Sequence, residues 1–335
     1  MNDGSLTQDA LCIVQSAGQF TLLQACQKIL ENKYDGGVVR EALHYYAKSV
    51  LPRVLPLFPA LICLSSKAVG ANPKNSASIA TALLLITASG DIHDDIIDNS
   101  TRKFEIKTVV GKYGKNIALL AGDALLIQGT SLLQNECRIL SSDQSKKIVD
   151  LIVSSMFEIV KAEAIETALW HKENVTPEEC FEVIRLKGGV AEVHCRIGAI
   201  IGGGDQEAIN DLGHYGRVIG VLSTLKEEFV DMISLAELKH RIKHELPPYP
   251  MFCAMQNKAL KKEIDGHIRK DKLSSEDLRL VSEKVLGSSE VRELTAEFRE
   301  NGRRELTTNL LLKGNKQASE LTVLLKALTD ELSVV

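Results

Sequence analysis

The sequence predicts an all-α protein, and three observations carry that expectation. The eight prolines (Pro52, Pro56, Pro59, Pro73, Pro177, Pro247, Pro248, Pro250) leave residues 74–176, 178–246 and 251–335 free of proline. Proline breaks helix interiors, so such spans permit long helices. Aromatic residues make up only 4% and alternating β-branched runs are rare, whereas Leu, Ala, Glu and Lys, all good helix formers, dominate. With 335 residues, 44% of them apolar, the chain can bury a sizeable core. No repeat and no long linker divides it, so one domain over residues 1–335 is expected, with a motif-bearing part at 45–255 and further helices at 256–335.

In chain order, residues 1–35 read as one or two short amphipathic helices ended by Gly36-Gly37, and 38–50 as the next. Leu51 to Pro56 is a proline-bounded turn opening a helix through Val69, since proline is tolerated where the N–H has no partner. Residues 75–97 form an apolar helix, 99–104 a polar loop, 116–133 another apolar helix and 142–172 a long one. Thr176-Pro177-Glu178-Glu179 is a strong helix start: a capping hydroxyl, proline at the first position and acids in the first turn. That helix is expected to run to about Gly202, and a further one over 206–239. Beyond the turn at Leu246 to Pro250 lie polar, charge-alternating helices.

The net charge of −4 argues against a nucleic-acid surface. Seven cysteines without a CxxC pattern suit a reducing, cytoplasmic setting. Neither a signal peptide nor a transmembrane segment is expected.

The chemistry begins at Asp91-Ile92-His93-Asp94-Asp95-Ile96-Ile97-Asp98. Asp94 and Asp98 share a helix face, as do Asp91 and Asp94. Like charges at this spacing repel, and oxygen-only donors of this kind suit Mg²⁺. Glu227 and Asp231, within Glu227-Glu228-Phe229-Val230-Asp231, repeat the spacing.

Two acidic clusters on helices of an all-α chain resemble the trans-isoprenyl diphosphate synthases, or polyprenyl synthetases. The resemblance is collinear from about residue 45 to 255. It includes Tyr113-Gly114, Ala121-Gly122-Asp123-Ala124-Leu125-Leu126, Lys187-Gly188, Tyr215-Gly216, Ile219-Gly220 and Lys243-His244-Glu245-Leu246-Pro247. It implies a helical bundle around a central cavity. Asp94, Asp95, Asp98, Glu227, Glu228 and Asp231 would hold about two or three Mg²⁺ ions. An allylic diphosphate would ionise and condense with isopentenyl diphosphate, with Asp94, Asp98 and Lys187 catalytic. Arg53, Arg102, Lys103, Lys187, Thr224 and Lys243 would bind substrate. The small Ser89 and Gly90 before the first cluster imply a product longer than farnesyl. A homodimer is implied, and a heterodimer is possible.

The chain also departs from the pattern. Leu51-Pro52-Arg53-Val54-Leu55-Pro56 keeps one of the basic residues expected for the second diphosphate. Thr87 stands where the family often has His, and Lys103-Phe104 where it has paired arginines. Ser223-Thr224 replaces Phe-Gln. Three readings stay open: elongation with Arg53, Arg102, Lys103, Lys107 or Lys48 as replacement cations; terpene-synthase-like ionisation of one allylic diphosphate; or a partner subunit of a heteromeric prenyltransferase. Asp91 is expected to have a structural or tuning role. His93, Cys195 and Trp170 are expected to be packing residues.

Overall fold

The structure is a computed structural model describing residues 3–32, 37–103, 105–270 and 272–332. Phe104 lies outside the described residues. The helices are α1 (Asp3–Leu30), α2 (Val38–Tyr45), α3 (Leu57–Ala68), α4 (Ala77–Ile97), α5 (Val109–Tyr113), α6 (Lys115–Cys137), α7 (Ser142–Trp170) and α8 (Pro177–Lys187). They continue as α9 (Gly189–Ile201), α10 (Gln206–Ile233), α11 (Leu235–His244), α12 (Tyr249–Ala254), α13 (Lys258–Ile268), α14 (Ser275–Leu286), α15 (Ser289–Thr308) and α16 (Ser319–Glu331). The all-α expectation holds.

Long α4 lies along α6, while α9 packs between α10 and α3, and α1 crosses α3, α4 and α16. Two apolar clusters result. One joins α3 and α7 to α10 with the C-terminal helices and contains Ile197, Tyr215, Leu225 and Phe229. The other joins α1, α2, α4 and α6 through Leu22, Ile29, Leu85, Ile92 and Leu125. α6 is long and apolar enough by length and composition to cross a membrane, which the sequence reading did not anticipate. In this fold it packs against α4.

Several boundaries differ from expectation. α1 is one long helix, and within it Gly18 marks a close approach: a Cβ there would fall 2.4 Å from the Pro56 carbonyl oxygen. The segment expected as one helix over 38–50 changes to a π-helical turn at Tyr46–Val50, then a 3-10 turn at Leu51–Arg53. The expected loop 99–104 contains β1 (Arg102–Lys103), paired antiparallel with β2 (Ile106–Lys107).

The Thr176 start is present as read: its hydroxyl accepts from the Glu179 N–H, and the Glu179 carboxylate accepts from the Thr176 N–H. The helix it opens is interrupted at Gly188, however. There α10 comes so close that a Cβ on Gly220 would meet the Gly188 carbonyl oxygen at 2.4 Å. The expected helix 206–239 breaks at Ser234, whose extended backbone and side chain cap α11. Gly220→Ala should cost about 1–3 kcal/mol by forcing α10 from α8 and α9. A urea unfolding midpoint that does not move would contradict this packing.

Candidate active site

The last turns of α4 divide their side chains by helix phase. Asp91, Asp94 and Asp98 lie on one stripe, with Gly90 beside them; a Cβ on Gly90 would meet nothing within 4 Å. Ile92 and Asp95 turn into protein and are buried. His93 faces α6, with Nε2 against Gly122 and 3.3 Å from Asp123, so it is a packing residue, as its phase required. Hairpin β1–β2 returns Lys103 to this end of α4, where its Nζ stands 2.8 Å from Asp95 and 3.8 Å from Asp94.

The second cluster on α10 also divides. Glu227 stays accessible to water, while Glu228 and Asp231 are held by Arg241 of α11. The Arg241 Nη1 donates to Asp231 at 2.7 Å and Nη2 to Glu228 at 3.2 Å. Glu228 also accepts from the Tyr249 N–H at 2.6 Å. Phe229 lies on the opposite side in the core.

Between the clusters stand α7 and α8. Lys187, the last residue of α8, places its Nζ 2.5 Å from Glu166 and 3.1 Å from Glu163. Glu166 is also 3.9 Å from Arg241. His240 of α11 has Nε2 3.0 Å from the Asp98 carbonyl oxygen and 2.9 Å from Glu245. Asp98, His240, Glu245, Arg241 and Glu166 thus connect the two acidic helices through ion pairs and hydrogen bonds. A cavity of about 250 Å³ opens beside Glu227 and Asp231 between α1, α10 and α16. Leu11, Leu55, Leu57, Ile219 and Leu324 are among its apolar walls.

The polyprenyl synthetase family model matches residues 41–285, a span containing both clusters and every cation just named. The chain belongs to the polyprenyl synthetase family. A short chain isoprenyl diphosphate synthase of Methanothermobacter thermautotrophicus is 32% identical over 178 residues, 52% of this chain and 54% of that protein. A geranylgeranyl diphosphate synthase of Methanosarcina mazei is 29% identical over 56% of this chain and 57% of its own. These matches span about half the length of the curated relatives. In fold, the chain is similar to geranylgeranyl pyrophosphate synthetase from Pyrococcus horikoshii, with TM-score 0.84 and 20% identity over 96% of this chain and 98% of the other. It is also similar to a polyprenyl synthase from Caulobacter crescentus complexed with calcium and isoprenyl diphosphate, with TM-score 0.81 and 16% identity over 98% of each.

The electrostatics of the site are dominated by surplus acid. Among the described residues, the cations paired with Asp91, Asp94, Asp95, Asp98, Glu163, Glu166, Glu227, Glu228, Asp231 and Glu245 as a group are Lys103, Lys187, Arg241 and His240. Burial, then Asp231 and Glu228, push Glu227 up to about 7. Burial, against the pull of Arg241 and with Glu166 and Asp94 nearby, lifts Glu245 to about 7. Burial, opposed by Lys103 and reinforced by Asp94 and Asp95, lifts Asp91 to about 6. Asp98 is raised by burial and then by Asp94, Glu245 and Glu166. Asp91 and Glu227 are open to water yet surrounded by protein on most sides, as groups lining a cavity are. Burial alone would lower Lys103 and Lys187. Asp95 and Asp94 around the first, and Glu166 and Glu163 around the second, instead hold them above the usual lysine range.

The donor set fits Mg²⁺: hard oxygen ligands carrying negative charge that the resident cations do not balance. Among the described residues no three His, Cys, Asp or Glu side chains already converge at ion-binding distance. Water and substrate oxygens would therefore complete the shell of an ion resting on Asp94, Asp98 and Glu227, as is usual for Mg²⁺.

Of the other residues expected here, Arg53 is exposed and donates to the Ser49 carbonyl. Arg102 is exposed and donates to the Glu105 carbonyl. Thr224 is half-buried on α10. Lys243 is exposed, with no ion pair among the described residues, and Arg241 takes the inward position on α11. Glu163, Glu166, His240, Arg241 and Glu245 were not anticipated at the site. The i,i+3 spacing of Glu163 and Glu166 was the one available signal for that pair.

A carboxyl with a higher pKa folded than unfolded keeps its proton longer in the fold. The site's contribution to stability is therefore greatest near the ordinary carboxylate range of about 4 and is lost as pH rises through about 7. Without divalent ions, the melting temperature should fall over that interval. Glu227→Gln should flatten the fall, and Mg²⁺ should reverse it. A profile identical with and without Mg²⁺ would count against this electrostatic picture.

Proposed function

We propose that the chain condenses an allylic diphosphate with isopentenyl diphosphate to make a longer trans-prenyl diphosphate. The observation that carries this is that Lys187 lies within electrostatic reach of Asp94 and Asp98 of α4 and of Glu227 of α10, in a chain whose relatives are named for such synthases. Mg²⁺, when bound, would neutralise the departing diphosphate. Asp94, Asp98 and Glu227 are the carboxylates open to that ion. Asp95 is paired with Lys103, and Glu228 and Asp231 with Arg241, which lowers the negative charge that each presents to it. Lys187 would steady the leaving group by turning its ammonium from Glu163 and Glu166 toward it.

In the reaction, the allylic C–O bond breaks with its electron pair going to the diphosphate. The π electrons of isopentenyl diphosphate form the new C–C bond, and the departed diphosphate takes a proton from the adjacent carbon. Arg53 and Arg102, each engaged with a backbone carbonyl, are the cations free to turn toward the second diphosphate. Thr224 and Lys243 would assist it by resemblance. Leu55, Leu57 and Ile219 beside Glu227 would limit the water that reaches the cation. The open space beside Gly90 fits a product beyond farnesyl length.

One observation favours a second reading, ionisation of a single allylic diphosphate. Leu55 and Leu57 line the cavity beside Glu227, near the segment where basic residues are expected for the second diphosphate. Product analysis separates the readings: a longer prenyl diphosphate supports condensation, and a free alcohol or cyclic hydrocarbon supports the alternative. Asp94→Ala should abolish Mg²⁺-dependent diphosphate release, and unchanged release would sink both.

We further propose a homodimer, in the cytoplasm. Val149, Val153, Met156 and Val160 form one uncovered stripe along α7, with Phe157 beside it and Leu120 and Ile127 exposed on α6. A second copy covering these faces accounts for them. All seven cysteines are free thiols, which fits a reducing compartment. Phe157→Glu with Val160→Glu should halve the mass measured by light scattering. An unaltered chain already at the single-chain mass would refute the dimer.

A further inference from the structure

Arg241 differs from the other cations of the site in how completely it is committed. It is only 9% exposed. Its Nη1 donates to Asp231 at 2.7 Å, and its Nη2 donates to Glu228 at 3.2 Å and stands 3.9 Å from Glu166. Its Nε donates to the Leu246 carbonyl at 2.7 Å and lies 3.3 Å from Glu245. One guanidinium therefore gathers four carboxylates drawn from α7, α10 and the end of α11. A second, independent tie holds this arrangement: the Tyr249 N–H donates to Glu228 at 2.6 Å from the other side. Asp231 and Glu227 share a face by their spacing, yet only Asp231 is taken.

Guanidinium keeps its proton under all conditions in which a protein folds, and its planar fork suits several carboxylates at once. A buried charge of this kind is not released without leaving its partners uncompensated. Lys187 contrasts with it. Lys187 is a point charge on a flexible stem, bound to two carboxylates and able to turn toward an arriving anion.

We propose that Arg241 is a resident cation that stands where a divalent ion would otherwise bind Asp231, so that the second cluster offers metal only Glu227. The inference rests on the proposed metal-dependent function and narrows it. The divalent ions gather against Asp94 and Asp98, with a single carboxylate from across the cavity. The charge that a further ion would supply to that side is built into the chain. Arg241 is accordingly a positioning residue: it touches the carboxylates and not the reacting atoms.

The test counts Mn²⁺ bound to the full chain in the presence of inorganic diphosphate, using the spectroscopic signal of free Mn²⁺. Asp231→Asn should bind as many ions as the unaltered chain and as tightly. Asp94→Asn and Glu227→Gln should each weaken binding about tenfold or more. Arg241→Gln should take up one additional ion per chain, lost again when Asp231→Asn is added. Two results would overturn the proposal: Asp231→Asn weakening Mn²⁺ as much as Asp94→Asn does, or folded Arg241→Gln gaining no ion. If Arg241→Gln does not fold, the comparison of Asp231→Asn with Asp94→Asn decides. A chain that shows this Mn²⁺ pattern but makes no longer prenyl diphosphate overturns the proposed function alone. A chain that takes up no Mn²⁺ overturns both.

Discussion

Mutual repulsion among the carboxylates between α4 and α10 is the interaction to which the surrounding structure answers. In a partly dehydrated space such charges repel more strongly than in water. Three cations hold them, and each is delivered by an irregularity in the chain. The β1–β2 hairpin carries Lys103 to Asp95. The interruption at Gly188 ends α8 on Lys187. The break at Ser234 lets α11 turn Arg241 back onto Asp231 and Glu228. Straight helices through these points would deliver none of them in the same way.

The balance is incomplete, and the remainder is informative. Asp91, Asp98, Glu227 and Glu245 hold protons above the ordinary carboxylate range because burial and like charge outweigh the nearest cations. A site of this kind costs stability in isolation and regains it when a cation arrives. Structural ion pairs, in contrast, are satisfied as they stand. Asp277, with Lys270, Ser274 and His267 donating to it, lies well below the usual carboxylate range. The same residue chemistry serves a cap in one place and a binding site in the other, and the supply of donors separates the two.

Much of this was legible in residue order. The proline-free spans foretold the long helices, and Thr176-Pro177 with the acids after it foretold a capped helix start, because both effects act within a few residues. The i,i+4 pairs Asp94/Asp98 and Glu227/Asp231 identified the candidate site for the same reason. The split of residues 176–202 was not legible, since it depends on Gly220, which is distant in the chain but in contact in space. On α11 the family motif points to Lys243, whereas no sequence signal points to Arg241. Which of the two turns inward is set by the packing of α11 against α10 and α14.

The sequence by itself determined the helical class, the family resemblance and the two acidic clusters, all of which depend on local spacing and composition. Only the tertiary structure decided which carboxylates remain open. Helix phase made Asp94 and Asp95, or Glu227 and Glu228, neighbours in the chain with opposite surroundings. Asp95, Glu228 and Asp231 met cations that the β1–β2 hairpin and the turn into α11 fold back onto them, and Asp98 and Glu227 met mainly other acids. Charge balance is a property of three-dimensional distance, and no one-dimensional pattern carries it.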